Sequence, residues 1–286
     1  MPTHSRRQFL GGGLSAFFVK PLAAQDGHVT PGGLDFPLVD YHVHLTPSFS
    51  LDDAVALSKQ RGVKFGIAEH AGKKENHYPG ILSNDQELGR WIARLDGKPV
   101  FKGVQAEWLD WMTCFSKEAF TQLDYVLSDA MTIPWRNGRR AKMWESGFDP
   151  GDPQEFMERY VKWNVEVIEK EPLDIFSHPT WLPAPLDKHY DALWTPERMK
   201  PIIDALKRTG TAVEIDSAYD IPRMPFLNMA KEAKLKFSFG SNSGAGAVRN
   251  IDFCIERARA LGLTAKDVFT PAPRGRKPIE RRKIAA

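Results

Sequence analysis

Two histidines stand two residues apart in Asp40-Tyr41-His42-Val43-His44, at the end of the apolar run Phe36-Pro37-Leu38-Val39. On a strand, alternate residues share a face, so both imidazoles can converge on one divalent ion. Two ligands do not close a shell, and an isolated pair of this kind serves equally well as loop hydrogen-bonding groups. Ligand-type residues recur, however, at the ends of other apolar runs: Glu69-His70 after Val63 to Ala68, Glu107 after Val100 to Ala106, and His178 after Leu173 to Phe176. The other histidines, His4, His28, His77 and His189, fall in the N-terminal segment or in expected loops. Four histidines and a carboxylate at equivalent positions predict a shared role, a metal centre built from His42, His44, His70, Glu107 and His178.

Such a centre needs a scaffold that brings strand ends together. Ser50 caps an expected helix that begins at Leu51 and leads to the strand Val63 to Ala68. The alternation continues with helices at 85–95, 117–122, 153–170, 196–208 and 222–233, before strands at 100–106, 123–127, 173–176, 212–215 and 235–239. About seven β-α units without an interior linker or repeat predict one α/β, TIM-like barrel over residues 25–270, with its site at the C-terminal ends of the strands. Residues 131–150, with Arg136, Arg139, Arg140 and Lys142, form an insertion after the fourth strand that would lie over that same face, as a lid, a recognition loop or a solvated excursion.

The chain ends differ from this body. Ser5-Arg6-Arg7-Gln8-Phe9-Leu10 and the glycine-rich apolar stretch to Val19 read as a twin-arginine export signal over residues 1–24, too short to span a bilayer. Export through the twin-arginine (Tat) translocase to the periplasm is expected, with no transmembrane anchor. The signal carries +3 and residues 272–286 carry +5, so the overall charge of +3 leaves −5 on the body. A basic nucleic-acid surface is therefore not expected of the folded part, and the proline-bearing tail 271–286 reads as solvated and disordered. Two cysteines, Cys114 and Cys254, do not make a disulfide framework.

The series Asp40-Tyr41-His42-Val43-His44, Gly66-Ile67-Ala68-Glu69-His70, Glu107, Asp124-Tyr125-Val126, Ile175-Phe176-Ser177-His178-Pro179 and Phe239-Gly240-Ser241-Asn242 resembles the polymerase and histidinol phosphatase (PHP) superfamily over nearly the whole body. That resemblance implies a distorted (β/α)7 barrel, a cluster of metal ions and phosphoester hydrolysis by metal-activated water. It carries over His42, His44, His70, Glu107 and His178 as ligands. Three positions depart from the family pattern. Asn242 and Gly244 replace an aspartate and a histidine on the last strand, leaving Asn242 as a weak neutral ligand. Met131 or Asp129 stands where the family has a histidine after the fourth strand, and Glu69 replaces an aspartate. Glu69 and Asp129 are carried as candidate catalytic carboxylates, and the altered set implies one or two divalent ions (Zn, Mn or Fe).

Zinc is the usual occupant of histidine-rich sites, whereas folding before export permits Mn or Fe loading in the cytoplasm. Arg249, after the glycine-bearing segment Gly244-Ala245-Gly246, and Trp181, close behind His178, are candidate substrate contacts for a small phosphorylated or acidic molecule. Glu214 is read as a structural carboxylate facing the barrel interior. An amidohydrolase-like barrel shares the first-strand pair, but Asn242 does not supply the aspartate base it needs. The same residue argues for a barrel that binds without catalysis.

Overall fold

The computed structural model describes residues 33–78, 80–244 and 248–282, apart from the side chain of residue 137. The twin-arginine segment lies outside the described residues. In chain order the strands are β1 (Val39–Val43), β2 (Lys64–Ala71), β3 (Phe101–Ala106), β4 (Tyr125–Ser128), β5 (Thr132–Pro134), β6 (Arg140–Lys142), β7 (Ile175–Phe176), β8 (Ala212–Asp216) and β9 (Phe237–Gly240). Seven of them pair in parallel and close into a barrel ordered β1-β2-β3-β4-β7-β8-β9, while β5 and β6 form a separate antiparallel hairpin. This is the seven-stranded, TIM-like α/β barrel that the alternation predicts.

Local signals set the helices around it. Ser50 and Asp53 form a capping box at the start of Leu51–Arg61, Asn84 caps Asp85–Leu95, and Asp152 caps Pro153–Lys170. Gly62 and Gly210 end their helices in the left-handed conformation, which glycine adopts without a Cβ penalty. Strand parity then divides the apolar residues into two layers. Val43, Ile67, Val104, Phe176, Val213 and Phe239 face outward into the core shared with the helices, whereas Tyr41, Ala68, Tyr125, Leu127, Ile175 and Ala212 pack inside the barrel. Tyr125 fills that interior and donates its hydroxyl to the Tyr41 carbonyl at 2.7 Å. Gly103 makes room for it, since a Cβ there would lie 2.2 Å from the ring. The interior is therefore packed rather than a channel.

The pairing of β1 with β2 shifts register between Asp40 and Val43. The irregularity lets Tyr41 join the interior layer and turns the next residue, His42, to the inside as well. Asp40 fixes it from a distance of 201 residues by accepting from the Ser241 amide at 3.0 Å and from its hydroxyl at 2.5 Å, as well as from the His42 amide at 3.1 Å. Burial, partly offset by these bonds, raises the Asp40 pKa to about 6.

Two expectations about the periphery are corrected. The insertion 131–150 is not a solvated excursion: Ile133 and Met143 are buried, Trp163 donates to the Thr132 carbonyl at 2.9 Å, and Trp135 packs on Phe148 and Phe156. The C-terminal tail, through Arg282, is docked under the barrel instead of disordered. Ile279 enters the core, Lys277 donates to the carbonyls of Thr121 and Leu123 at the start of β4, and Arg282 caps the carbonyls of Ile168, Glu169 and Glu171 at the end of a helix. Composition suggested a solvated segment, but those helix-end and loop carbonyls give its cations specific partners.

Candidate metal centre

The parity that packs Tyr125 and Ala212 inside the barrel brings polar residues to its C-terminal mouth. On β3, Gln105 is followed two residues later by Glu107; on β8, Ala212 is followed by Glu214 and then Asp216; His70 and His44 follow the same rule on β2 and β1. The histidine rings form one continuous row. His178 and His42 are 4.8 Å apart between ring centroids, His42 and His44 5.1 Å, and His44 and His70 4.8 Å with nearly parallel planes. Tyr78 stacks beyond His70 at 4.3 Å, and Tyr219 meets His178 edge-on at 5.4 Å.

Carboxylates hold these rings in place. His42 Nδ1 lies 2.8 Å from Glu214 Oε1, and its Nε2 lies 3.0 Å from Gln105 Oε1. Gln105 in turn donates to Asp129 at 2.9 Å, giving an unbroken hydrogen-bonded chain across the mouth from Glu214 to Asp129. His178 Nδ1 contacts Asp216 at 2.6 Å, and its amide donates to Glu214 at 2.9 Å. His70 Nδ1 contacts Glu107 at 2.7 Å. His44 Nδ1 donates to the Ala68 carbonyl at 3.0 Å, which leaves Nε2 as the lone-pair nitrogen. Potential ligand atoms of His42, His178 and Glu214 all lie within 4.8 Å of one another, and the three residues are at most 4% exposed.

The electrostatics fit a cation. Burial pulls the His178 pKa down, but the Asp216 carboxylate outweighs it and raises the pKa to about 9. Burial likewise opposes the charge on His42, and Glu214 prevails to hold its pKa above the ordinary value. His44 moves the other way, well below the usual range, through burial and the neighbouring His70 and His42. Burial also raises Glu107. The protons favoured on His42 and His178 thus offset carboxylates that a divalent ion bound by the same atoms would neutralise instead. Imidazole nitrogens with a buried carboxylate are a donor set suited to Zn, Mn or Fe.

The structure sorts the sequence candidates. His42, His44, His70, Glu107 and His178 converge, with Asp129 bonded to Gln105 among them. Glu69 does not join them: it lies between the inward-facing Ala68 and His70, so its side chain points out of the barrel. Its carboxylate accepts from the His70 amide at 3.0 Å and lies against Gly80. Asn242 sits in the left-handed region at φ 45°, with its side chain hydrogen-bonded to Tyr219 and its carbonyl accepting from Arg249 at 3.5 Å. Tyr219 in turn meets the His178 ring edge-on. At Gly244, φ is +137° and a Cβ would lie 2.6 Å from the His44 carbonyl, so a side chain there would be both strained and crowded. Arg249 and Trp181 reach the site through Tyr219, whose ring is 6.1 Å from that of Trp181.

Glu214 and Asp216 were not read as site residues, although Glu-Ile-Asp has the same alternation as His-Val-His. They contact His42 and His178, supplying two carboxylates on β8. Gly240 on the adjacent β9 permits this approach, because a Cβ there would lie 2.0 Å from Glu214 Oε1.

No protein-family model matches the chain, and no curated protein matches it. Among solved structures it is similar to a histidinol phosphate phosphatase from Lactococcus lactis subsp. lactis Il1403, determined as a complex with zinc, L-histidinol and phosphate. The likeness covers 86% of this chain and 99% of that one, at 15% identity and a TM-score of 0.53. An HpcH/HpaI aldolase from Desulfitobacterium hafniense DCB-2 aligns over 82% of this chain and 93% of that one at 12% identity, with a TM-score of only 0.35. The chain therefore shares the fold of the phosphatase, a closed parallel barrel with surrounding helices.

Proposed function

We propose that this chain is an exported, metal-dependent hydrolase that releases phosphate from a small phosphate ester. The observation that carries the reading is the buried group His42, His178 and Glu214 at the C-terminal mouth, continued by the row His44, His70 and Glu107. A divalent ion bound there lowers the pKa of water and stabilises charge on phosphate oxygens. His42, His178 and Glu214 would hold one such ion; His44 Nε2, His70 and Glu107 offer donors for a second. Asp216 would orient His178 through Nδ1 and Gln105 would orient His42 through Nε2, leaving His42 Nδ1 to share the ion with Glu214, and Asp129 completes the chain as the carboxylate nearest to solvent that can take up a proton. Arg249 on the rim would meet an anionic ester, with Tyr219 and Trp181 forming the wall beside it. The small phosphate ester is the class favoured both by the family resemblance and by the phosphate and histidinol bound in the similar phosphatase.

One observation favours a second reading, a barrel that binds metal or ligand without turnover: Asn242 is a neutral side chain held by Tyr219, and Gly244 leaves no room for a histidine. Metal analysis of protein purified from its own exporting cell, followed by phosphate release from a panel of esters, separates the two. Amides and lactones serve as controls for amidohydrolase chemistry. Stoichiometric metal with turnover supports the hydrolase, and stoichiometric metal without turnover supports the binding barrel. Loss of His42 and His44 together should abolish both metal content and turnover; unchanged metal stoichiometry in that double variant would falsify the metal centre. Export rests on Arg6 and Arg7, and replacing both with lysine should retain the protein in the cytoplasm.

A further inference from the structure

We propose that Lys142 grips a second anionic group of the substrate, a carboxylate or phosphate carried on a flat leaving group; the inference rests on the phosphoesterase reading. A cavity of about 210 Å3 opens beside Glu107, between β3 and the β5–β6 hairpin, and Tyr78, Trp108, Thr132, Arg140 and Lys142 line it. It adjoins the metal centre directly, because Tyr78 stacks on His70. A leaving group attached to a phosphate at the histidine row would extend into this space.

The two cations in the cavity are not equivalent. Arg140 is committed to protein partners: it pairs with Asp110 at 2.7 Å, donates to Asn76 and stacks on Trp108 at 4.6 Å. The Lys142 ammonium lies 4.2 Å from the Tyr78 ring centroid and 5.8 Å from that of Trp144. Its one hydrogen bond, to the His77 carbonyl, is long at 3.5 Å, and it makes no ion pair among the described residues. An ammonium has three donors, and ring contacts fix its position without satisfying them. Glu75 and Glu145 also line the cavity but are exposed, so water and salt screen them more than the partly buried lysine. With His70 and Lys142 on Tyr78 and Arg140 on Trp108, the ring edges meet a body placed between the scissile phosphate and the second anion, and edge-to-face contact favours a planar one.

Non-hydrolysable ligands test this on the zinc-loaded protein. Phenylphosphonate carries only the first anion, while 4-carboxyphenylphosphonate and 1,4-phenylenebisphosphonate add a carboxylate or a second phosphonate. Calorimetry should give a Kd at least about tenfold lower for one or both of the doubly anionic ligands, and the better of the two identifies the natural group. In Lys142→Met the ratio of Kd values should collapse to about one, and Lys142→Arg should restore it. Equal Kd values for all three ligands in the wild-type protein, no binding of any of them, or a ratio that survives Lys142→Met would overturn the inference. Hydrolysis of phenyl phosphate is measured in parallel. Turnover without the affinity ratio refutes Lys142 alone, whereas the ratio without turnover refutes the catalytic reading and leaves the anion site standing.

Discussion

At the floor of the barrel Lys277 brings an ammonium from the chain's own tail to the carbonyls of Thr121 and Leu123 and into the field of Asp174. At the mouth, Glu107, Glu214 and Asp216 contact histidines, and Asp129 contacts Gln105 and the Met131 amide. Lysine or arginine pairs with none of those four among the described residues. Both ends bury charge, but the floor's cation is a lysine, whereas those at the mouth are protons held on histidines. Buried carboxylates are costly without a cation, and the cations that accompany those at the mouth are protonated histidines, which under the proposed reading give way to a metal ion. The difference separates a structural charge cluster from a binding one more sharply than burial alone, which is nearly complete at both ends.

The largest break in this comparison should come from Gly240→Ala. The added methyl would have to occupy space 2.0 Å from Glu214 Oε1 and 2.9 Å from the His42 Cβ, so either the carboxylate or β9 must move. Zinc affinity, measured by chelator competition, should fall at least about 100-fold, since even residues that only orient ligands are worth about 10–100-fold. Retention of wild-type affinity would mean that Glu214 does not belong to the metal site.

Lys277→Met probes the other end. It leaves the buried Leu123 carbonyl and the half-buried Thr121 carbonyl without their donor, at about 1–3 kcal/mol for a buried unsatisfied group. With roughly 2–4 °C per kcal/mol expected for a domain of this size, the melting temperature should drop by several degrees. Zinc affinity should stay within about twofold of wild type, because the mouth lies at the opposite ends of the strands. A large loss of metal binding would show that the ends are coupled.

Asp174 sharpens the contrast through pH. Burial raises its pKa to about 7, against the lowering effects of the Val126 amide and Lys277. The folded chain thus holds this proton more tightly than the unfolded chain, so its contribution to stability declines as pH rises from about 4 through 7. Wild-type protein should lose melting temperature across that interval relative to Asp174→Asn, and the two curves should run parallel above about pH 8. Parallel curves throughout would show that Asp174 ionises at its ordinary pKa.

Much of the mouth was legible because a strand's period of two leaves a trace in the sequence. His42 with His44, and the placement of His70, Glu107 and His178, followed from that rule together with the β-α alternation. The same rule applied to Glu214 and Asp216 puts both acids inside, yet without their partners' positions a lone carboxylate reads as structural. The β1 irregularity that turns His42 inward had no local signature, since Ser241 fixes it through Asp40 from 201 residues away in the chain. The tail was misread for a related reason: its composition describes only one side of the contact, and the carbonyls that receive Lys277 and Arg282 belong to residues 111 to 156 positions away.

Glu69→Gln should have the smallest effect and tests the parity argument directly. Glu69 precedes His70, and sequence reasoning made it a catalytic carboxylate, but β2 turns it out of the barrel. A glutamine can keep the acceptor for the His70 amide, now 3.0 Å from Glu69 Oε1, and it removes only the charge. Burial already raises the Glu69 pKa, so neutralising the group should cost little: stability should remain within about 0.5 kcal/mol of wild type. Zinc affinity and any phosphate release should likewise stay within about twofold. A loss comparable to that of Gly240→Ala would place Glu69 in the working site despite its direction, and strand parity would then cease to distinguish ligand from bystander at this mouth.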